Sequence, residues 1–97
     1  MFKLVFQPRA QSDLKNLQAN TALVKRFKAV RKALGLLENN PRHPGLNTHK
    51  YYGLTGPHGQ DVFEAYAENN TPAAYRIFWC YGPEKSEITI LSITPHP

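Results

Sequence analysis

The sequence predicts an α+β fold: an N-terminal strand, a helical hairpin, then a mainly antiparallel sheet of four to five strands in the order β-α-α-β-β-β-β. Three observations predict it. Residues 23–37 carry one apolar stripe at helical spacing. Residues 75–81 and 88–94 are runs of aromatic and β-branched residues. Short turns rich in Gly, Pro and Asn join the successive strands, which favours an antiparallel meander.

FKLVF, residues 2–6, reads as a strand with Phe2, Leu4 and Phe6 on one face. Pro8 suits the first turn of a helix, where its missing N–H is no loss. That helix is expected near 8–20, with Ala10, Leu14 and Leu17 inward, and Asn20 or Thr21 caps the next one. The second helix is expected near 21–39. Leu23, Phe27, Val30, Leu34 and Leu37 fall at steps of four and three, and Lys25, Lys28 and Lys32 take the opposite face, flanked by Arg26 and Arg31. Asn39-Asn40-Pro41 ends it, because proline disfavours helical geometry in the residue before it.

Residues 41–48, PRHPGLNT, form a loop that carries Arg42 and His43. Strands follow at 49–54 (HKYYGL) and 61–67 (DVFEAYA), separated by the Gly56-Pro57-His58-Gly59 turn. Asn69-Asn70-Thr71-Pro72 leads into the run AAYRIFWCYG, and residues 82–87 connect it to the terminal strand at 88–94. Both late strands are apolar on both faces, so they should be central, with something packed on each side. The expected core is Phe27, Val30, Leu34, Ile77, Trp79, Ile90 and Leu91. One guanidinium, Arg76, interrupts this run. A charge in a central strand costs several kcal/mol unless it is paired or faces an open, wet surface. Arg76 therefore points to the functional face.

Ninety-seven residues make one domain with one modest core. The single cysteine, Cys80, excludes an internal disulfide and a cysteine-based zinc cluster, and fits a reducing cytoplasm. Neither a signal-peptide core nor a membrane span is visible. The charge is split unevenly. Residues 1–50 hold ten Lys/Arg and two acids, whereas residues 51–97 hold two Lys/Arg and five acids, which gives the net +5. A basic first half is the electrostatic footprint of a nucleic-acid partner as well as of a solvated helix face.

The helical hairpin, the Asn40-Pro41-Arg42 helix end, the Tyr75-Arg76-Ile77-aromatic strand and the terminal ITILSITPH, in this order, resemble the RelE/ParE toxin superfamily of bacterial toxin–antitoxin systems. The resemblance spans essentially the whole chain. It implies a small basic cytoplasmic toxin, neutralised by a cognate antitoxin encoded alongside it. In the RelE branch such toxins cut mRNA in the ribosomal A site without metal; in the ParE branch the scaffold inhibits DNA gyrase.

RNA cleavage by the 2′-hydroxyl needs a base for that hydroxyl, a cation on the phosphate and an acid for the leaving 5′-oxygen. The resemblance places Arg76 where RelE-like nucleases hold the scissile phosphate; the other reading is a structural arginine paired with Glu64 across the sheet. It places His96 near the terminal histidine of YoeB-like relatives, and imidazole can donate a proton near neutrality. Here Pro97 replaces the tyrosine that follows in those relatives. The base is open among Glu64, His49 and His43, since strand three offers Glu64-Ala65-Tyr66-Ala67-Glu68 and lacks the Lys or Arg common in these nucleases. Lys50, Arg42, His43 and the helix lysines Lys25, Lys28 and Lys32 are candidates for RNA phosphate contacts, and Tyr66, Tyr51 and Tyr52 for stacking on unpaired bases. No metal site is indicated, because His43 and His49 are six apart with no carboxylate cluster to complete a shell, and no cofactor motif is present. A gyrase inhibitor without chemistry and a catalytically silent relative that binds antitoxin or RNA are the alternatives.

Overall fold

The computed structural model describes residues 1–96. Its first elements are strand β1 (Lys3–Phe6) and helix α1 (Pro8–Ala19), with Pro8 in the first helical turn and Ala10 and Leu17 buried. The second helix starts later than its apolar stripe suggests. Asn20 Oδ1 accepts the Ala22 N–H at 3.0 Å and Asn20 O accepts the Leu23 N–H at 2.9 Å. The side-chain cap and the single i+3 closure wind Thr21–Leu23 as a 3₁₀ turn, and α2 proper runs Val24–Asn39. Its last backbone bond runs from the Asn40 N–H to Leu36 O, just before Pro41. The helices pack as an antiparallel hairpin, as expected.

Strands β2 (His49–Thr55), β3 (Asp61–Tyr66), β4 (Tyr75–Tyr81) and β5 (Glu87–Pro95) complete one five-stranded sheet of order β1-β5-β4-β3-β2. β1 pairs with β5 in parallel and the other neighbours are antiparallel. β4 and β5 are indeed central. β1 ends opposite Ile90, so beyond that residue β5 has a strand, β4, on one edge only. The side chain of Asp13, from α1, fills part of the other edge: its Oδ2 accepts the Ile93 N–H at 2.9 Å. One carboxylate thereby docks a helix onto a sheet and satisfies an edge donor.

The helices bury Val30, Ala33, Leu34 and Leu37 against Ile77 and Trp79 of β4 and Ile88, Ile90 and Ile93 of β5. Burying an aliphatic side chain of this kind is worth about 1.5–3 kcal/mol, so this layer holds the domain together. Phe27, expected in the core, is only half-buried at its margin. The helical hairpin covers one face of the sheet, as expected, but the packing expected on the second side of β4 and β5 needs a correction. Among the described residues the helices lie on one face only, and the reverse face carries the small cluster Val62, Phe78, Cys80 and Leu91, flanked by Tyr51. Leu91 joins that cluster through a β-bulge: Phe78 pairs with Ser92 and Trp79 with Ile90, so Leu91 is the extra residue.

Candidate functional site

Strand parity places the candidate residues before any side chain is considered. Ile77 and Trp79 face the helices, so Arg76 and Phe78 face the open side. Across the sheet Tyr66 is the partner of Arg76, Glu64 of Phe78 and His49 of Glu64. His49, Glu64, Tyr66 and Arg76 thus share one face over three adjacent strands.

Arg76 is 7% exposed although no second layer covers this face. Its neighbours do the covering. The Tyr66 ring lies over the guanidinium, with Cζ 3.7 Å from the ring centroid, a close cation–π contact. Nη1 donates to Glu68 O at 2.8 Å and to Tyr75 O at 3.3 Å. The Glu64 carboxylate is the countercharge, with Oε2 3.8 Å from Nε. At that separation the pair is ionic without a hydrogen bond, and Nε is buried with no hydrogen-bond partner. The charge is therefore compensated while one strong donor stays unused. Tyr66 Oη lies 3.0 Å from His49 Nε2, with the two rings edge to face at 5.1 Å. His49 is exposed, so this contact forms the outer rim of the patch.

His96 lies just past β5, and its N–H donates to Ala74 O at 2.7 Å. Thr94, two residues earlier, is the cross-strand partner of Arg76, so the backbone brings His96 to the Arg76 end of β4. Pro97 lies outside the described residues. The predicted RNA-contacting side chains do not form one surface. Lys50 pairs with Phe63 and faces the helix side, where it lines a cleft with Arg42 and His43. Lys25, Lys28 and Lys32 are exposed on α2. Their neighbour Arg26 is engaged elsewhere, donating to Glu68 Oε1 at 3.0 Å, Ala73 O at 3.0 Å and Pro72 O at 3.2 Å. Arg31 rests near the Phe27 ring.

Glu68 is the residue that sequence reasoning missed. Its carboxylate takes both Arg26 and the Tyr75 N–H, at 3.0 Å each, and its backbone oxygen takes Arg76. It clamps α2 to the turn before β4 and positions the arginine. Nothing in its local sequence marks that role, because both partners are distant in the chain or belong to the backbone. Cys80, on the same face as Arg76, has its thiol pKa pushed up by burial, which makes it a poor nucleophile. Among the described residues no three His, Cys, Asp or Glu side chains group as metal ligands, and no helix is long and apolar enough to cross a membrane.

The sequence matches no protein-family model and no curated protein. Its structure is similar to solved toxins. A YoeB/ParE toxin from Agrobacterium tumefaciens superposes with a TM-score of 0.71 at 11% identity, covering 99% of this chain and 100% of that one. RelE in the intact E. coli RelBE toxin–antitoxin complex gives 0.66 at 18% identity, covering 100% and 99%. The archaeal RelE–RelB complex from Pyrococcus horikoshii gives 0.64 at 18% identity, covering 97% and 93%. At these identities the likeness concerns the backbone, over nearly the full length of each chain. The chain shares the fold of these solved YoeB/ParE and RelE structures.

Proposed function

We propose that this chain is the toxin of a toxin–antitoxin pair and that it cleaves RNA at the open face of its sheet, without a cofactor. The observation that carries the reading is the cross-strand set Arg76, Glu64, Tyr66 and His49 on that face, in a chain with this fold. A fork-shaped, permanently charged donor with an unused Nε suits a phosphate better than a lysine would. Substrate phosphate reaches it when the Tyr66 ring swings off the guanidinium, which frees that ring to stack on a base.

Glu64 or His49 takes the proton from the 2′-hydroxyl as its oxygen attacks phosphorus. The P–O5′ bond breaks, a 2′,3′-cyclic phosphate forms, and His96 delivers a proton to the departing 5′-oxygen. Arg76 stabilises the charge that accumulates on the phosphoryl oxygens. The partner is a cognate antitoxin that covers the open face and the basic side of α2, and the substrate is mRNA in the ribosomal A site.

The burial of Arg76, its bonds to backbone oxygens and the lack of a basic residue on β3 favour a second reading, a gyrase-binding inhibitor without chemistry. Brief expression followed by primer extension on mRNA separates the two. Cuts inside translated frames, absent with Arg76→Lys, support the nuclease. Loss of DNA supercoiling with intact mRNA supports the inhibitor and overturns it.

A further inference from the structure

The helices leave part of their own sheet face uncovered. Beyond the C-terminal end of α2 the 41–48 loop borders β2, β3 and β4 around a cleft of about 580 Å³. It lies on the opposite side of the sheet from Arg76. Three features define what it can hold.

The first is charge. Arg42, His43 and Lys50 line the cleft, and among the described residues no acidic side chain does. The Lys50 ammonium is 3.3 Å from Asp61, but both side chains are substantially exposed, so this pair yields readily to a stronger anion. His43 Nδ1 accepts the Gly45 N–H at 2.9 Å, which puts the proton of the neutral ring on Nε2, as a donor. Gly45 permits this close approach, since a Cβ there would sit 3.0 Å from Nδ1.

The second is an aromatic wall. Phe63 packs on Trp79 with centroids 5.0 Å apart, Tyr81 meets Trp79 edge-on at 4.9 Å, and Tyr81 keeps 39% of its surface exposed. The third is a pair of orphan donors. Trp79 is 1% exposed and its Nε1 has no hydrogen-bond partner; Thr48 Oγ1 is likewise buried and unpartnered. Buried donors are normally satisfied, so two on the residues lining one cleft call for an acceptor brought from outside.

We propose that this cleft is a nucleotide-binding site. The phosphate sits between Arg42 and Lys50, and the base lies against Tyr81 and Phe63. The orphan donors belong to residues of the same lining. The volume falls in the range of small-ligand sites. A nucleotide matches the lining in two ways, an anionic phosphate for the basic side chains and a flat base for the aromatic wall, whereas an ordinary peptide brings neither. The proposal does not depend on the ribonuclease reading, because no residue is shared between the two sites.

Trp79 is the only tryptophan, so intrinsic fluorescence reports directly on the cleft. The full chain is titrated with AMP, with a single-stranded RNA tetranucleotide, with inorganic phosphate and with an acidic peptide. A saturable change with AMP or the tetranucleotide is expected. It should weaken roughly tenfold or more when Arg42 and Lys50 are both changed to Ala, since charge-assisted contacts are lost, and it should survive Arg76→Lys. Binding of AMP identifies a single nucleotide as the ligand, and binding of the tetranucleotide alone identifies a strand. Equal affinity for phosphate without a base, preference for the acidic peptide, or no response to any of the four overturns the site.

Discussion

On the helix-covered face of β4, Ile77 and Trp79 lie at 0% and 1% exposure, packed on the hydrophobic layer of α1 and α2. On the other face of the same strand, Arg76, Phe78 and Cys80 lie at 7%, 6% and 0%, with no layer above them among the described residues. Burial is nearly equal, but its cause differs. The first face is buried by other elements and gains the full hydrophobic and packing terms. The second is closed by its own neighbours, with Tyr66 over Arg76 and Tyr51 beside Phe78. Side chains that cover their own sheet can move aside at modest cost, whereas a helical hairpin cannot. The movable face also holds the buried charge, and such a local inconsistency is where function is expected.

The largest test compares core truncations on the two faces. Trp79→Ala should cost about 3–5 kcal/mol, a large share of the roughly 5–15 kcal/mol available to a domain of this kind. Phe78→Ala removes an aromatic from a smaller, thinly covered cluster and should cost clearly less. Urea unfolding of both variants measures the difference, and equal losses would break the contrast between the faces.

Next comes Arg76. Losing a donor aimed at developing negative charge costs about 3–4 kcal/mol in the transition state, a hundred- to thousandfold in rate, so Arg76→Ala should abolish RNA cleavage. It should also lower stability, because Glu64 is left as a largely buried carboxylate without its countercharge. Adding Glu64→Gln should recover much of that stability and none of the activity. If the double variant is no more stable than Arg76→Ala alone, the pair is not coupled as its geometry indicates.

Asp13 tests the helix side again. Removing a hydrogen bond to a charged group costs about 1.5–3 kcal/mol, so Asp13→Ala should destabilise by that order and speed exchange of the Ile93 amide in particular. Asp13→Asn keeps a carbonyl acceptor and should recover part of the loss. Unchanged exchange at Ile93 would show that the carboxylate does not dock α1 onto β5.

How much of this was legible in the sequence follows from the range of each interaction. The elements were readable because their signals are local: the 23–37 stripe, Pro8, Asn40-Pro41 and the two late apolar runs. The parity that puts Arg76 opposite Ile77 and Trp79 was readable too, as was a pairing of Arg76 with Glu64, now seen at 3.8 Å. The absent second layer was not, because an apolar face looks the same whether a helix or a neighbouring tyrosine covers it. Likewise, Lys50, Arg42 and His43 read like further members of the Arg76 patch, and only the register of β2 sends Lys50 to the other side. Asp13 and Glu68 act on backbone groups far along the chain, which leaves no trace in residue type.

The smallest expected effect is the most specific to the cover on Arg76. Tyr66→Phe removes only the contact to His49 Nε2 and keeps the ring over the guanidinium. A lost neutral hydrogen bond is worth about 0.5–1.5 kcal/mol, and at this exposed rim the lower end applies. Tyr66→Ala removes the ring itself. Labelling with an arginine-directed dicarbonyl, read residue by residue by mass spectrometry, separates the two roles. Arg76 should stay protected in the wild-type protein and in Tyr66→Phe, and become modified in Tyr66→Ala, while Arg42 labels alike in all three. Protection that persists in Tyr66→Ala would mean that the bonds to Glu68 and Tyr75, and not the ring, shut the site. Substrate would then need a rearrangement of the turn before β4 to reach the arginine.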